Sequence, residues 1–173
     1  GLHSAADRWD EAFGARTRPD QGTGLTFGWL GETTLQPLNL SVGGTTGPGN
    51  GRWRQSTQPD LRLDTFMHMQ ADDVPSFNGT PLPGRWELAV PNGSYDVTVA
   101  VGDPNVNSDP EIHTLNVEGT RAIDGFVPAG GAGSATRHKT ATVEVVVEDG
   151  RLTVDALGGT NTKIDYVDVA TAD

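Results

Sequence analysis

The chain has 173 residues, 23 of them Gly and 11 Pro, with no Cys and a formal net charge of -11. That length suits one domain with a core of its own, and the missing Cys excludes thiol catalysis, Cys-based zinc sites and disulfide frameworks. The charge argues against a nucleic-acid duplex or an acidic membrane surface, since both require a basic footprint, and reads first as solubility in an extracellular or saline medium.

In chain order, Ser4 and Asp7 are placed to cap a short helix carrying Trp9 and Phe13, which Gly14 ends early. Gly1 stands where a Met is expected, so a targeting segment or neighbouring domain is expected to have been removed. Residues 1–24 read as an N-terminal extension or incomplete first strand, and 25–173 as the domain proper. Leu25–Leu30 and Leu61–Met69 read as strands, Gly43–Asn50 as a loop and Asp72-Asp73 as a solvated turn. No stretch approaches the roughly 20 apolar residues of a membrane helix.

From Trp86 onward the pattern has period two. Trp86, Leu88 and Val90 alternate with Glu87 and Ala89; Tyr95, Val97, Val99 and Val101 alternate with Asp96, Thr98 and Ala100. Asn92-Gly93 between them suits a type I′ turn, so Trp86–Val101 is predicted to be a hairpin. Gly102–Pro110 is a polar loop. His113–Glu118 is a short strand turned at Gly119-Thr120, with a brief partner at Ala122-Ile123, and Ala129–Ser134 reads as a loop. Thr140–Glu148 and Arg151–Leu157 are predicted to form a second hairpin around Asp149-Gly150, and Lys163–Val169 is the last strand. Short strands bounded by Gly, Pro, Asn and Asp, without βαβ alternation, predict an all-β antiparallel sandwich or barrel.

Familiar catalytic signatures are missing: no Gly-x-Ser-x-Gly elbow, His-Glu-x-x-His pair, phosphate-binding Gly-Lys loop or EF-hand spacing. His3, His68, His113 and His138 have no partner at metal-ligand spacing. The loop Asp103, Asn105, Asn107, Asp109 offers oxygen side chains at alternate positions, as a hard cation requires; Asp and Asn beside Pro are first of all turn formers. Asp168, beside Ile164 and Tyr166 on a strand, needs a cation or hydrogen-bond partner and is the candidate ligand of a structural calcium. Of Trp9, Trp29, Trp53 and Trp86, Trp86 is in phase with the core. Trp53, between Arg52 and Arg54 beyond a Gly-rich loop, is the candidate exposed ring, able to pack in the protein or against the apolar face of a sugar.

The segment Trp86–Asp103 resembles the central hairpin of malectin-like and galactose-binding-like domains, and His113–Gly119, Asp149–Asp155 and Gly159–Asp168 continue the resemblance. Leu25–Trp29 and Asp60–Met69 are similar to modules attached to bacterial polysaccharide-degrading enzymes. The resemblance covers most of residues 25–169; residues 1–24 lack the apolar first strand with which the family opens. It implies a jelly-roll sandwich, secretion, a polysaccharide or oligosaccharide ligand, a structural calcium and a catalytic domain elsewhere in the parent chain. The expected function is a non-catalytic, monomeric carbohydrate-binding module. Trp53 stacks on a ring, and Arg54, Asp60, Asp103, Asn105, Asn161, His113 and Lys163 serve its hydroxyls. The alternatives are a structural or adhesive spacer, with no exposed aromatic cluster, and a sandwich-fold lyase or glycosidase. The enzyme requires two or three of His68, His113, Arg62, Tyr95 and a carboxylate in one cleft.

Overall fold

A computed structural model describes residues 24–40, 49–56, 58–72 and 74–172. The helix expected around Trp9 and Phe13, His3, most of the loop beginning at Gly43, and Asp73 lie outside the described residues. Among the described residues there are ten strands: β1 (Phe27–Gly31), β2 (Gly51–Trp53), β3 (Thr65–His68), β4 (Gly84–Ala89), β5 (Gly93–Gly102), β6 (His113–Val117), β7 (Thr120–Phe126), β8 (His138–Val147), β9 (Arg151–Asp155) and β10 (Lys163–Thr171). They form two five-stranded antiparallel sheets, ordered β1-β4-β9-β6-β7 and β2-β3-β10-β5-β8, stacked as a jelly-roll sandwich. Among the described residues no helix is long and apolar enough to cross a membrane.

The alternation expected along Trp86–Val101 and Thr140–Leu157 is present, but neither stretch is a hairpin. β4 pairs with β9 in one sheet, whereas β5 pairs with β8 in the other, from Gly93↔Val147 to Gly102↔His138. The Asn92-Gly93 and Asp149-Gly150 turns are therefore arches that carry the chain between sheets. Asn92 and Asp149 are not among the residues with positive φ, so neither turn has the two left-handed residues that type I′ demands. Asn92 clamps the arches together, donating from Nδ2 to the Glu148 carbonyl (2.6 Å) while its Oδ1 accepts from the Gly150 N–H (2.8 Å). Period two reports the face of a strand and not its neighbour. A two-residue hairpin does exist between β6 and β7, where Glu118 and Gly119 are both left-handed.

Leu61–Met69 is a strand only in its second half. Asp60 caps a 3-10 turn over Leu61–Asp64, accepting from the Arg62 N–H, and β3 follows. The pairing of Ile164 with Val101 and then Tyr166 with Ala100 leaves Asp165 as an extra residue, a bulge in β10.

Trp29, Trp86, Leu88, Leu115, Val117, Leu152 and Val154 from one sheet meet Met67, Val97, Val99, Val101, Val145, Ile164 and Val167 from the other. Burying a side chain of this kind is worth roughly 1.5–3 kcal/mol. The arches close one end of the sandwich. The β3–β4, β5–β6, β7–β8 and β9–β10 connections gather at the other, where the polar chemistry lies.

Candidate functional site

Phe66 and His68 alternate with Met67 on β3; Met67 enters the core, so the two rings lie on the outer face of their sheet. Arg52 pairs with Phe66 in register, and the Arg54 guanidinium stacks 5.0 Å from the Phe66 ring centroid. Trp53, between them, points the other way by strand alternation. It is 64% exposed, yet its indole is pinned: Nε1–H donates to Asp64 Oδ2 at 2.7 Å. Buried Asp64 is held in turn by the Ser56 hydroxyl and the Ser56 N–H. The result is an accessible aromatic plate of fixed orientation on an edge strand.

Arg54 reaches across the outer face to grip Asp103 with a fork, Nε to Oδ1 at 2.9 Å and Nη2 to Oδ2 at 2.6 Å. Asp103 is fully buried because Gly102 brings the end of β5 against the start of β8. A Cβ on Gly102 would lie 2.4 Å from the Arg137 carbonyl oxygen, so no larger residue fits without a shift there. Lys163 Nζ sits between Asp103 Oδ2 (3.1 Å) and Glu111 Oε1 (2.9 Å), and Asn107 Nδ2 donates to the same two carboxylates. Arg137 spends Nε and Nη2 on the carbonyls of Asp103 and Asn105. Burial alone raises both carboxyls. For Asp103 the Arg54 hydrogen bonds and the Lys163 charge outweigh it and hold the group at about 2. For Glu111 the contacts of His113, Lys163 and Asn107 do the same, also to about 2.

His68 and His113 are neutral. His68 is lowered to about 3, by burial first and then by Lys163 and Arg52, and donates from Nδ1 to Asn161 Oδ1 at 2.8 Å. His113 is lowered by burial; its Nδ1 accepts the Lys163 backbone N–H at 3.2 Å, so Nε2 carries the proton facing Glu111 Oε2 at 3.4 Å. Asp165 is fully buried in the β10 bulge with neither oxygen hydrogen-bonded, and burial, with Asp103 nearby, pushes its carboxyl well up.

Of the residues expected to contact a ligand, Trp53 is open to solvent, whereas Asp103, His113, Asn161 and Lys163 are buried and face other groups of the protein. Arg54 is committed to Asp103, and Asn105 contributes its backbone to the network through Arg137 and Asp103. Asp60 and Asp168 both bind Arg62, at 2.7 and 2.5 Å; that guanidinium lies 4.0 Å above the Tyr166 ring and pins the 3-10 turn to β10. Asp168 is thus occupied by the Arg62 guanidinium, and no group of three His, Asp or Glu suited to a metal exists among the described residues. Of the residues a catalytic cleft would draw on, Tyr95 lies at the arch end, donating to the Pro91 carbonyl, and Arg62 is bound to Asp60 and Asp168, while His68 and His113 are buried at the loop end. Glu111, Arg137 and Asp64 were not singled out by sequence. The Pro110-Glu111-Ile112-His113 run, with a carboxylate two residues from a strand histidine, was the available signal for Glu111.

Two recesses open at the loop end. One of about 240 Å3 is lined by Asn107, Asp109, Pro110, Glu111, Val127, Pro128 and Arg137. Another of about 440 Å3 has an apolar lining that includes Leu38, Leu82, Pro83 and Leu157.

No protein-family model matches the chain, and no curated protein matches it. Among solved structures it is similar to a β-glucuronidase of Bacteroides uniformis, with a TM-score of 0.49 and 9% identity over 88% of this chain and 15% of that one. It is also similar to CBM35 from Cellvibrio japonicus Abf62, with a TM-score of 0.41 and 15% identity over 84% and 94% of the two chains. A family 35 carbohydrate binding module from Clostridium thermocellum gives a TM-score of 0.38 and 14% identity over 71% and 89%. The chain thus spans about 15% of the length of the β-glucuronidase.

Proposed function

We propose that this domain is a non-catalytic carbohydrate-binding module of a secreted, polysaccharide-active protein. The observation that carries the reading is Trp53, an indole 64% exposed whose orientation is fixed by its hydrogen bond to Asp64. An exposed aromatic costs solvation unless something covers it, and the apolar face of a sugar ring suits such a plate. Among the described residues the other two Trp, Trp29 and Trp86, are core residues. The spacer reading has less support, because a spacer has no use for a pinned, solvent-facing ring. The enzyme reading has less support still, since Asp103, Glu111, Arg54 and Lys163 at the loop end are engaged with one another in ion pairs.

Polysaccharides of plant, algal and bacterial origin, titrated against the wild type, should yield at least one ligand that perturbs tryptophan fluorescence. Trp53→Ala should weaken that binding by about ten- to a hundredfold, the loss of one stacking contact worth roughly 1–3 kcal/mol. Equal binding by the variant, or no binding to any polymer, overturns the reading.

A further inference from the structure

Asp165 is fully buried, and its surroundings tie it to the Trp53 site. Ile164 and Val167 both enter the core, so the bulge between them sends Asp165 and Tyr166 together to the outer face of the sheet. The 3-10 turn over Leu61–Asp64 packs against β10 on that face. Its Arg62 guanidinium lies over the Tyr166 ring, and its cap, Asp60, is close enough to raise the Asp165 carboxyl. Arg62 fastens the turn to β10 through Asp168, and Asp64, two residues on, holds the Trp53 indole. One four-residue turn thus lies over the stretch of β10 that buries Asp165 and fixes the exposed ring as well.

Neither Asp165 oxygen has a hydrogen-bond partner among the described residues. Asp103, at the end of β5, and Asp60, at the cap of the turn, oppose a negative charge there. Lys163 on β10 favours one, but its ammonium is held between Asp103 and Glu111. Of the other charged and titratable groups on the packed elements, Arg62 is spent on Asp60 and Asp168, and Asp64 on Trp53 and Ser56. The His138 ring of β8 is lowered by burial and lies against the Leu63 carbonyl. A carboxylate formed at Asp165 therefore has to be reached by water. β10 is hydrogen-bonded on both sides, to β3 and β5, so yielding there would break the sheet. The turn is held by part-exposed ion pairs and a few hydrogen bonds, as in a segment that opens locally. Above about pH 4, Asp103 and Glu111, held at about 2, stay ionised and His68, at about 3, stays neutral.

We infer that the turn over Leu61–Asp64 is a pH-operated latch on the Trp53 site: it lies closed while Asp165 is protonated and lifts from β10 when Asp165 ionises, freeing the indole and weakening carbohydrate binding. The inference rests on the carbohydrate-binding reading and adds the regulation of that site. The closed state keeps a proton that the open state releases, so closure is present at low pH and is lost as pH rises through the raised Asp165 pKa. The test follows the Trp53 Nε1–H resonance of the 15N-labelled whole chain from about pH 5 to about pH 10, the span in which a buried carboxyl titrates. The resonance is assigned by its loss in Trp53→Phe, and polymers are titrated at both ends of the range. The wild type should show one step in this resonance, with the core indoles of Trp29 and Trp86 unmoved, and the polymer Kd should rise about tenfold across it. Asp165→Asn, which cannot ionise, should abolish both changes and keep the tighter Kd throughout. Arg62→Gln, which removes the fastening to Asp168, should move the step to lower pH. The latch is overturned if the wild type shows no step, if the core indoles move with it, or if it persists in Asp165→Asn. A step unmoved by Arg62→Gln, or one that leaves the polymer Kd constant, overturns it too. A polymer bound with constant Kd and no step leaves the carbohydrate reading standing without the latch. A step with no polymer bound at any pH overturns the carbohydrate reading and leaves the latch as a motion of the ring.

Discussion

Asp103, Glu111 and Asp165 are three buried carboxyls within one region, and their surroundings drive them in opposite directions. Asp103 and Glu111 sit among cations and amides and are held at about 2, below the ordinary carboxylate range. They therefore contribute stability above that range, and the contribution disappears as pH falls toward 2. Asp165 is raised, because burial strips its oxygens of water and supplies no partner. Its contribution is present below the ordinary Asp pKa and is lost as pH rises, since the folded state must retain a proton that the unfolded chain releases. Denaturation followed from pH 2 to 8 should show stability rising steeply to about pH 4–5 and then declining. Asp165→Asn should remove the decline, raising Tm at pH 7 by about 2–4 °C for each kcal/mol recovered, while leaving the acid limb in place. An unchanged neutral limb would mean that Asp165 is not the group that titrates there. The polar identity of Asp103, Asn161, His113 and Lys163 was legible in the sequence, but their burial was not. Asp103 and His113 have near neighbours in Asn105, Asn107 and Glu111, but each of the four also has a partner about 50 to 93 residues away, as Lys163 does in Asp103 and Asn161 in His68, and local pattern carries no trace of those distant pairs.

At the scale of elements, alternation located β4 to β10 to within a few residues, with the face each presents to the core. It failed at the partners of those strands. An Asn-Gly between two alternating runs signals a hairpin only if both runs belong to one sheet. Here Trp86 and Tyr95 both face the core from opposite sheets, an arrangement with the same period and the same turn residues. β2 was overlooked because three residues, Gly51–Trp53, are too few to show a period. The arches make a prediction of their own. Asn92 supplies both a donor and an acceptor to the neighbouring arch, so Asn92→Ala should destabilise the domain by about 1–2 kcal/mol in urea unfolding, near the value of two net hydrogen bonds at a partly exposed site. A loss well below 0.5 kcal/mol would show that the arches hold their positions without the clamp.

For the molecule as a whole, the net charge of -11 is spread over a fold whose few cations are largely committed to internal pairs, among them Arg54, Arg62, Arg85 and Lys163. Surface self-repulsion should therefore weaken the native state at low ionic strength. Raising NaCl from about 10 mM to about 0.3 M, which shortens the screening length from roughly 30 Å to under 8 Å, should raise Tm by a few degrees at pH 7, since buried pairs are screened much less. A fall in Tm would show that exposed ion pairs outweigh the repulsion. The arches have one more consequence, for the order in which the fold can be assembled. Because they send successive strands to opposite sheets, no contiguous stretch contains a whole sheet. β10 is inserted between β3 and β5, which lie about 30 residues apart in sequence and never pair with each other. A polypeptide emerging from the ribosome thus presents two unpaired strand edges until β10 arrives. Contact order of this kind favours slow folding in milliseconds to seconds and a nascent chain dependent on protection from aggregation.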